Sequence, residues 1–397
     1  MPERDGILLI QWNGSHYDSL AGLLQLAGQE FAGQGFAVRT VTMDRPGWKD
    51  ELATLLRAEP PLCAIGMSGV GSDLQTAQRK SLWEAAKVPF FDWNCDHPAY
   101  FPRRHAIRSR YLLHGYVFPD HAQYSIRHFN ANGVAFCAHL GVPPRSIFEG
   151  APRPLAARNG RVVFAKTGAD TNAIEARWRR LSPILRDLLF AASEELFHRS
   201  TAEHLPTLQR LGETRGFLLD GSGLLALRLI RELDAYIRHR RARMVLEAVR
   251  TCPVDVYGAG WEHVDQETGQ VRFHGPAEWR TLTGLLPGYL GCLTINPLVE
   301  HSVHDRSFFA LAANVTPLGD SNIFSRAQLP ALEGFTFRFD PASVRAAVET
   351  LFAYPAAAMA LTEQAWLQVR ERFSLRASLG LILDAAQMVP LNARASA

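Results

Sequence analysis

Histidine, aspartate and arginine stand side by side at 304–306 in the segment INPLVEHSVHDRSFFALAANVTPLGDSN, residues 295–322. A short apolar run precedes them and a small-residue stretch of helical character follows. A helix beginning at Asp305 would present unpaired backbone N–H groups, and Arg306 would add a fixed cation beside them, which together suit a phosphate or diphosphate. His304 belongs to the same candidate site. Further on, Asp320, Ser321 and Asn322 follow another apolar run, where a carboxylate can accept hydrogen bonds from ribose or sugar hydroxyls. The plainer reading of Asp305 and Arg306 is a helix cap and a solvated ion pair.

Two segments upstream have a related character. CPVDVYGAGWE at 252–262 is a strand running into Gly258, Gly260 and Trp261. Its glycines allow close backbone approach, and the indole is a candidate to stack on a base or to sit in the core of a tight turn. RVVFAKTGAD at 161–170 places Lys166 and Thr167 at the mouth of a strand, where the lysine can pair with a phosphate or stand in solvent. In the first half, IQWNGSHYDS at 10–19 puts His16 just after a strand, a position for a general base. FFDWNCDHPAYF at 90–101 does the same for Asp96 and His97, inside an aromatic surround that shifts proton affinities.

Several common chemistries lack their signatures. There is no Gly-Lys pair for a P-loop, no GxSxG, no HExxH and no Asp-x-Asp to hold a divalent ion against a diphosphate. His301, His304 and Asp305 lack a separated third ligand, so no metal is expected. The run Arg238, His239, Arg240, Arg241 and Arg243 reads as the solvated face of a long helix, and GVGSD at 69–73 as a cap for the helix after it.

These residues must be positioned by a scaffold, and the chain is long enough to build two. Its 397 residues carry 42 basic and 39 acidic side chains, a net +3, which implies no nucleic-acid partner by global field. The five cysteines are 63, 95, 137, 252 and 292, too far apart for a zinc knuckle or a redox pair, which favours a reducing, cytoplasmic setting. No apolar stretch approaches the ~18 residues that span a bilayer, so no membrane span is expected.

Short apolar runs at 7–11, 37–43, 62–67, 88–92, 116–119 and 134–138 alternate with helical segments such as 19–31 and 74–86, predicting a parallel α/β sheet over residues 1–150. Four prolines and two glycines within 143–160 suggest a linker, placed at 151–160. The second domain, 161–357, opens with a strand at 161–166. It then carries a helical section at 172–250, whose last helix spans 224–249, and further strands at 254–257, 271–273, 292–296, 315–318 and 335–339. A final helix is expected from 358 to 388, with 358–397 packing back toward the first domain.

The turn VYGAGW, the following RFHGPAEW and the Asn-Pro strand leading to DRSFFALAAN resemble the C-terminal half of GT-B glycosyltransferases, in particular the CgeB-like (spore-maturation protein) group. The resemblance covers roughly residues 160–350. It implies two Rossmann-like domains facing across a cleft. A nucleotide sugar, bound as co-substrate without other cofactor, would meet Lys166, Thr167, Gly258, Gly260, Trp261, His304, Asp305, Arg306, Asp320, Ser321 and Asn322. The acceptor, a protein, glycan or small molecule, would lie over the first domain, with His16 activating its hydroxyl and Asp96 or His97 as second choices. Phe309 stands where the group usually has glutamate, and Asn314 where it usually has glycine. A nucleotide-sugar 2-epimerase and a non-catalytic binding module are the alternatives.

Overall fold

The structure, a computed structural model, describes residues 6–14, 16–129, 134–149, 152–200, 203–267 and 269–395. It divides into two compact units, Met1–Gly141 with Phe373–Ala397, and Val142–Arg372. Among the described residues no single helix is long and apolar enough to cross a membrane.

Unit 1 is built on six parallel strands: β1 (Gly6–Gln11), β2 (Ala37–Thr42), β3 (Cys63–Met67), β4 (Phe90–Asn94), β5 (Leu112–Tyr116) and β6 (Val134–Cys137). Their order across the sheet is β2-β1-β3-β4-β5-β6. Helices cover the faces, so the inner strands β3, β4 and β5 are buried along their whole length and read as continuous runs rather than alternations. The order reverses between β1 and β3, and loops leaving the carboxyl ends of those strands frame the crevice where such sheets bind ligands.

Two elements of unit 1 differ from the sequence expectation. The fifth strand lies at Leu112–Tyr116 rather than 116–119, because His114 breaks its apolar pattern yet is buried opposite its register partner Asp92, with Nδ1 to Oδ2 at 3.4 Å. The expected helix over 74–86 shrinks to Leu82–Ala86, capped by Ser81. Its polar first half has no apolar face to bury and instead reverses direction, bridging Gln75 to Ser81 with Arg79 at φ +60°. GVGSD therefore caps no helix. Its Gly69 N–H donates to the buried Asp92 carboxylate at 2.6 Å, fixing the turn after β3.

Unit 2 has strands β7 (Val162–Ala165), β8 (Val254–Tyr257), β9 (Val271–Phe273), β10 (Gly291–Leu293), β11 (Thr316–Asp320) and β12 (Thr336–Phe337), in the order β12-β11-β10-β7-β8-β9. Counted from β7, this is the doubly wound dinucleotide-binding order 3-2-1-4-5-6, with its switch point between β7 and β10. The helical section comprises Thr171–Trp178, Pro183–Phe197, His204–Glu213 and Leu224–Ala248.

The division between units falls at 141/142, ahead of the proline-rich stretch expected to form the linker. Residues 152–160 are tied into unit 2, where Arg158 donates to the carbonyls of Arg153 and Tyr289. The expected C-terminal helix is two helices. Pro355–Val369 belongs to unit 2, and Leu375–Ala395 returns to unit 1, burying Leu375, Leu379, Ile382, Ala386 and Val389 at helical spacing against helix Ser19–Gly33.

Gly141 marks where the chain leaves unit 1. It sits at φ +67°, and a Cβ there would stand 2.4 Å from the Phe373 carbonyl oxygen at the point of return. Gly141→Ala is expected to cost about 1–3 kcal/mol through strain and overpacking. Urea unfolding with limited proteolysis at residues 370–375 checks this, and an unchanged midpoint and cleavage rate would refute it.

Candidate functional site

At the switch point of unit 2, three glycines bring two loops together. A Cβ on Gly258 (φ +148°) would fall 2.3 Å from the Lys166 carbonyl oxygen, and one on Gly260 (φ +81°) 2.3 Å from that of Gly168. A Cβ on Gly168 would meet the Trp261 ring at 2.5 Å. The turn after β8 thus lies directly against residues 166–168, and Trp261 Nε1 donates to the Lys166 carbonyl at 2.8 Å. The glycines act through backbone approach, as their sequence suggested. Of its two readings, Trp261 takes the second, in the core of a tight turn. Only 3 % exposed, it packs among Phe164, Phe273 and His263, so its indole is core and is closed to a stacking base.

The second wall is the helix Asp305–Ala312, which starts beyond the end of β10. Asn296, in the loop between them, fixes that start. Its N–H donates to Asp320 Oδ1 (2.8 Å), and its Oδ1 accepts from the His304 N–H (2.7 Å). His304 caps the helix, with Nδ1 accepting from the Arg306 N–H at 3.3 Å and touching the Asp305 carboxylate, while Nε2 lies 3.3 Å from the Arg306 guanidinium. Burial, with the nearby Arg306 and Lys166 charges, holds His304 below the usual histidine range against the pull of Asp305. Burial alone would raise the Asp305 carboxyl, but His304 and Arg306 outweigh it and hold it well below the carboxylate range.

Helix Leu224–Ala248 supplies a third element that sequence reasoning set aside. Arg238, expected in a solvated face, is only 26 % exposed and paired with Asp234 at 3.0 Å. Its charge and that of Arg306 both bear on Lys166, whose ammonium is pushed down to about 7, first by burial and then by these two guanidiniums. His239, on the same helix, is pushed down to about 4 by burial with help from Lys166 and Arg238. Arg241 is fully buried, donating to the carbonyls of Leu196, Phe197 and Arg199 and lying over the Phe339 ring. Its place on the stripe with Ile230, Leu233, Ile237 and Val245 was the available signal, because a charge on an apolar helical face is not a solvated one.

Other candidates are corrected. Asp320 is 2 % exposed, its oxygens taken by the Asn296 N–H and the Ser200 hydroxyl (2.8 Å), so it braces the site and is closed to a ribose. Asn322 caps helix Ile323–Gln328 in a capping box with Ser325 and donates to the carbonyls of Val299 and Ser302. Ser321 accepts from Arg326 at 3.3 Å. Thr167 is exposed beside Lys166.

The first-unit candidates fall after β1 and β4. His97 is buried, its Nδ1 accepting from the Ala99 N–H and its ring against His121 and Tyr124, which is a capping and packing role rather than a catalytic one. Asp96 is half-buried. His16 begins the turn His16–Asp18 after β1, but its side chain lies outside the described residues. Phe309 is buried edge-on to Phe148 and Trp279, and Asn314 occupies a left-handed position (φ +54°) after the helix, which asparagine tolerates best after glycine. Among the described residues no group of three or more His, Cys, Asp or Glu side chains is arranged to hold a metal ion.

No protein-family profile and no curated protein matches the chain by sequence. Solved structures match it in shape. Sucrose-phosphate synthase from Thermosynechococcus elongatus superposes with a TM-score of 0.51 at 10 % identity, covering 96 % of this chain and 99 % of that one. An alpha-glucosyltransferase in complex with UDP gives 0.54 at 9 % identity, covering 96 % and 99 %. The alpha-glucosyltransferase with UDP and a 13-mer DNA containing a HMU base gives 0.55 at 8 % identity, again covering 96 % and 99 %. The fold is GT-B. Within this GT-B chain, Lys166 directly follows β7 and Arg306 opens the helix that follows β10, the two strands that flank the switch point of unit 2.

The bracing role of Asp320 is directly measurable. Asp320→Ala leaves the Asn296 N–H and the Ser200 hydroxyl unpaired and the Arg241 charge uncompensated, and is expected to cost about 3–5 kcal/mol in urea unfolding. A loss under about 1 kcal/mol would contradict it.

Proposed function

We propose that this chain is a glycosyltransferase that takes its sugar from a nucleotide-sugar donor, of the CgeB-like kind its motifs resemble. The reading is carried by three cations, of which Arg238 on helix Leu224–Ala248 and Arg306 at the start of helix Asp305–Ala312 both act electrostatically on Lys166 after β7. A nucleoside diphosphate released on glycosyl transfer carries about three negative charges. Cations and backbone N–H groups aimed at the bridging region stabilise that charge as it develops. On this reading the cations do what a divalent ion does in other transferases, and transfer proceeds in EDTA. The shared fold of UDP-bound alpha-glucosyltransferases supports the choice of donor.

Each cation has a distinct part. Arg306, on the first turn of the helix, binds the diphosphate through its guanidinium, with the positive end of the helix dipole beside it. Arg238 reaches in from its Asp234 pair, and Lys166 is the group whose charge depends on the ligand. In the free protein burial and two neighbouring guanidiniums disfavour its protonated form, while a bound diphosphate reverses the sign of that field and draws the proton back. The acceptor hydroxyl is assigned to the side of unit 1, with His16 as its base on the strength of its place after β1, and Asp96 as second choice.

Two calorimetric results are expected. Arg306→Ala and Arg238→Ala should each weaken UDP binding by about 1.5–3 kcal/mol, the range for hydrogen bonds to a charged group, in buffer containing EDTA. Wild-type protein that binds no nucleoside diphosphate under those conditions would remove the reading. At pH 8, above the lowered Lys166 value of about 7, UDP is already fully ionised, so binding should take up close to one proton and affinity should fall as pH rises. Titrations in buffers of different ionisation enthalpy measure this uptake. The same uptake in Lys166→Met would assign it to another group.

A further inference from the structure

Helix Leu224–Ala248 carries three acidic residues, and the fold treats them differently. Glu247 is exposed, and Glu232 meets Arg177 and Trp178 near the surface. Asp234 is 4 % exposed, in a stretch where Ile230, Leu233 and Ile237 are buried with it. A carboxylate taken out of water needs partners in place of the lost solvent. Its Oδ2 has the Arg238 guanidinium at 3.0 Å, one turn along the helix. Its Oδ1 has Nε2 of His204 at 3.5 Å, from the first residue of helix His204–Glu213, itself 3 % exposed.

The other arginine pairs four residues apart in this helical section, with Glu175, Glu195, Glu203 and Glu247, leave the arginine 38–63 % exposed. Solvent and salt screen such pairs, and they fix little. Arg238 is 26 % exposed and faces a buried carboxylate anchored from a second helix, so the geometry of this pair is set. Two acids act on Lys166 along with the two guanidiniums. Asp320 is committed to the Asn296 N–H and the Ser200 hydroxyl, whereas Asp234 holds one of the cations itself.

We infer that Asp234 is a positioning residue for the cations at the end of β7: His204 fixes its carboxylate from the neighbouring helix, and the carboxylate fixes Arg238. Asp234 itself meets no ligand. Its negative charge lets Arg238, Arg306 and Lys166 share a small space before any anion arrives, since Arg238 lowers the proton affinity of Lys166 and Asp234 raises it. The role of that cluster in holding a diphosphate rests on the glycosyltransferase reading, whereas the order His204, Asp234, Arg238 stands on unit 2 alone.

Lysine side-chain 13Cε shifts followed against pH in the nucleotide-free protein test the charge. The chain has four lysines, and Lys166→Met assigns the signal. Asp234→Asn keeps an acceptor toward Arg238 and removes only the charge, so the Lys166 midpoint should fall below its wild-type value of about 7, while Arg238→Gln should raise it. An Asp234 that merely joined two helices would, once substituted, loosen the packing and hydrate Lys166, and the midpoint would rise. Calorimetry with UDP tests the positioning. Asp234→Ala should weaken binding about 10-fold and His204→Phe, which leaves the carboxylate charge in place, about 3-fold. Neither should weaken it further in an Arg238→Ala background. An unmoved or raised midpoint in Asp234→Asn, or losses that add to that of Arg238→Ala, would overturn the inference. Should wild type bind no UDP, the transferase reading falls and the lysine titration alone decides the role of Asp234.

Discussion

Gly258 and Gly260 let the turn after β8 lie against residues 166–168 at a distance that no side chain permits, and the chemistry of unit 2 depends on this contact. It sets the end of β7 beside the buried Trp261 indole, which donates to the Lys166 carbonyl. The half-buried Lys166 lies within the electrostatic reach of Arg238 and Arg306, each on a different helix. A lysine left in solvent would keep its proton at all relevant pH and would lose side-chain freedom on meeting a ligand. Here burial and the two guanidiniums disfavour the charged form in the free protein.

The opposite wall shows the cost of holding cations this way. Arg241 and Asp320 are both buried, and removing such charges from water costs several kcal/mol per ion unless hydrogen bonds replace the lost solvent. Three carbonyls and an aromatic face receive Arg241, and a backbone N–H and a serine hydroxyl receive Asp320. Asn296 carries that order onward to the N-cap of helix Asp305–Ala312. The polar core is thus a brace that sets where the helix begins, and with it the place of Arg306. The first unit uses a similar device, in which buried Asp92 accepts from Gly69 and fixes the turn after β3.

Much of the architecture was legible because both sheets are parallel and buried, so their strands stand out as apolar runs. The strands at 254–257 and 271–273 coincide with β8 and β9, and helix Leu224–Ala248 ends one residue short of its expected limit. Errors arose where polar residues are buried. His114 hid the fifth strand, and Arg241 was read as solvated because its neighbours are charged. Trp261, Asp320, Asn322 and His97 were recognised as unusual residues after strands, but their partners are more than 20 residues distant or are backbone groups, which composition and spacing do not reveal. Helix 74–86 failed for a different reason, since a good N-cap pair at Ser72 and Asp73 does not suffice without an apolar face to bury.

The central claim is that one crevice, between β7 and β10, holds a nucleoside diphosphate on three cations drawn from three separate elements. A crystal structure of the protein soaked with UDP in the presence of EDTA tests it most directly. The β-phosphate should lie in contact with the Arg306 guanidinium and with Lys166, beside the N-terminus of helix Asp305–Ala312, with Arg238 turned toward it. UDP bound elsewhere in the chain, or a diphosphate that leaves Lys166 and Arg238 untouched, would contradict it.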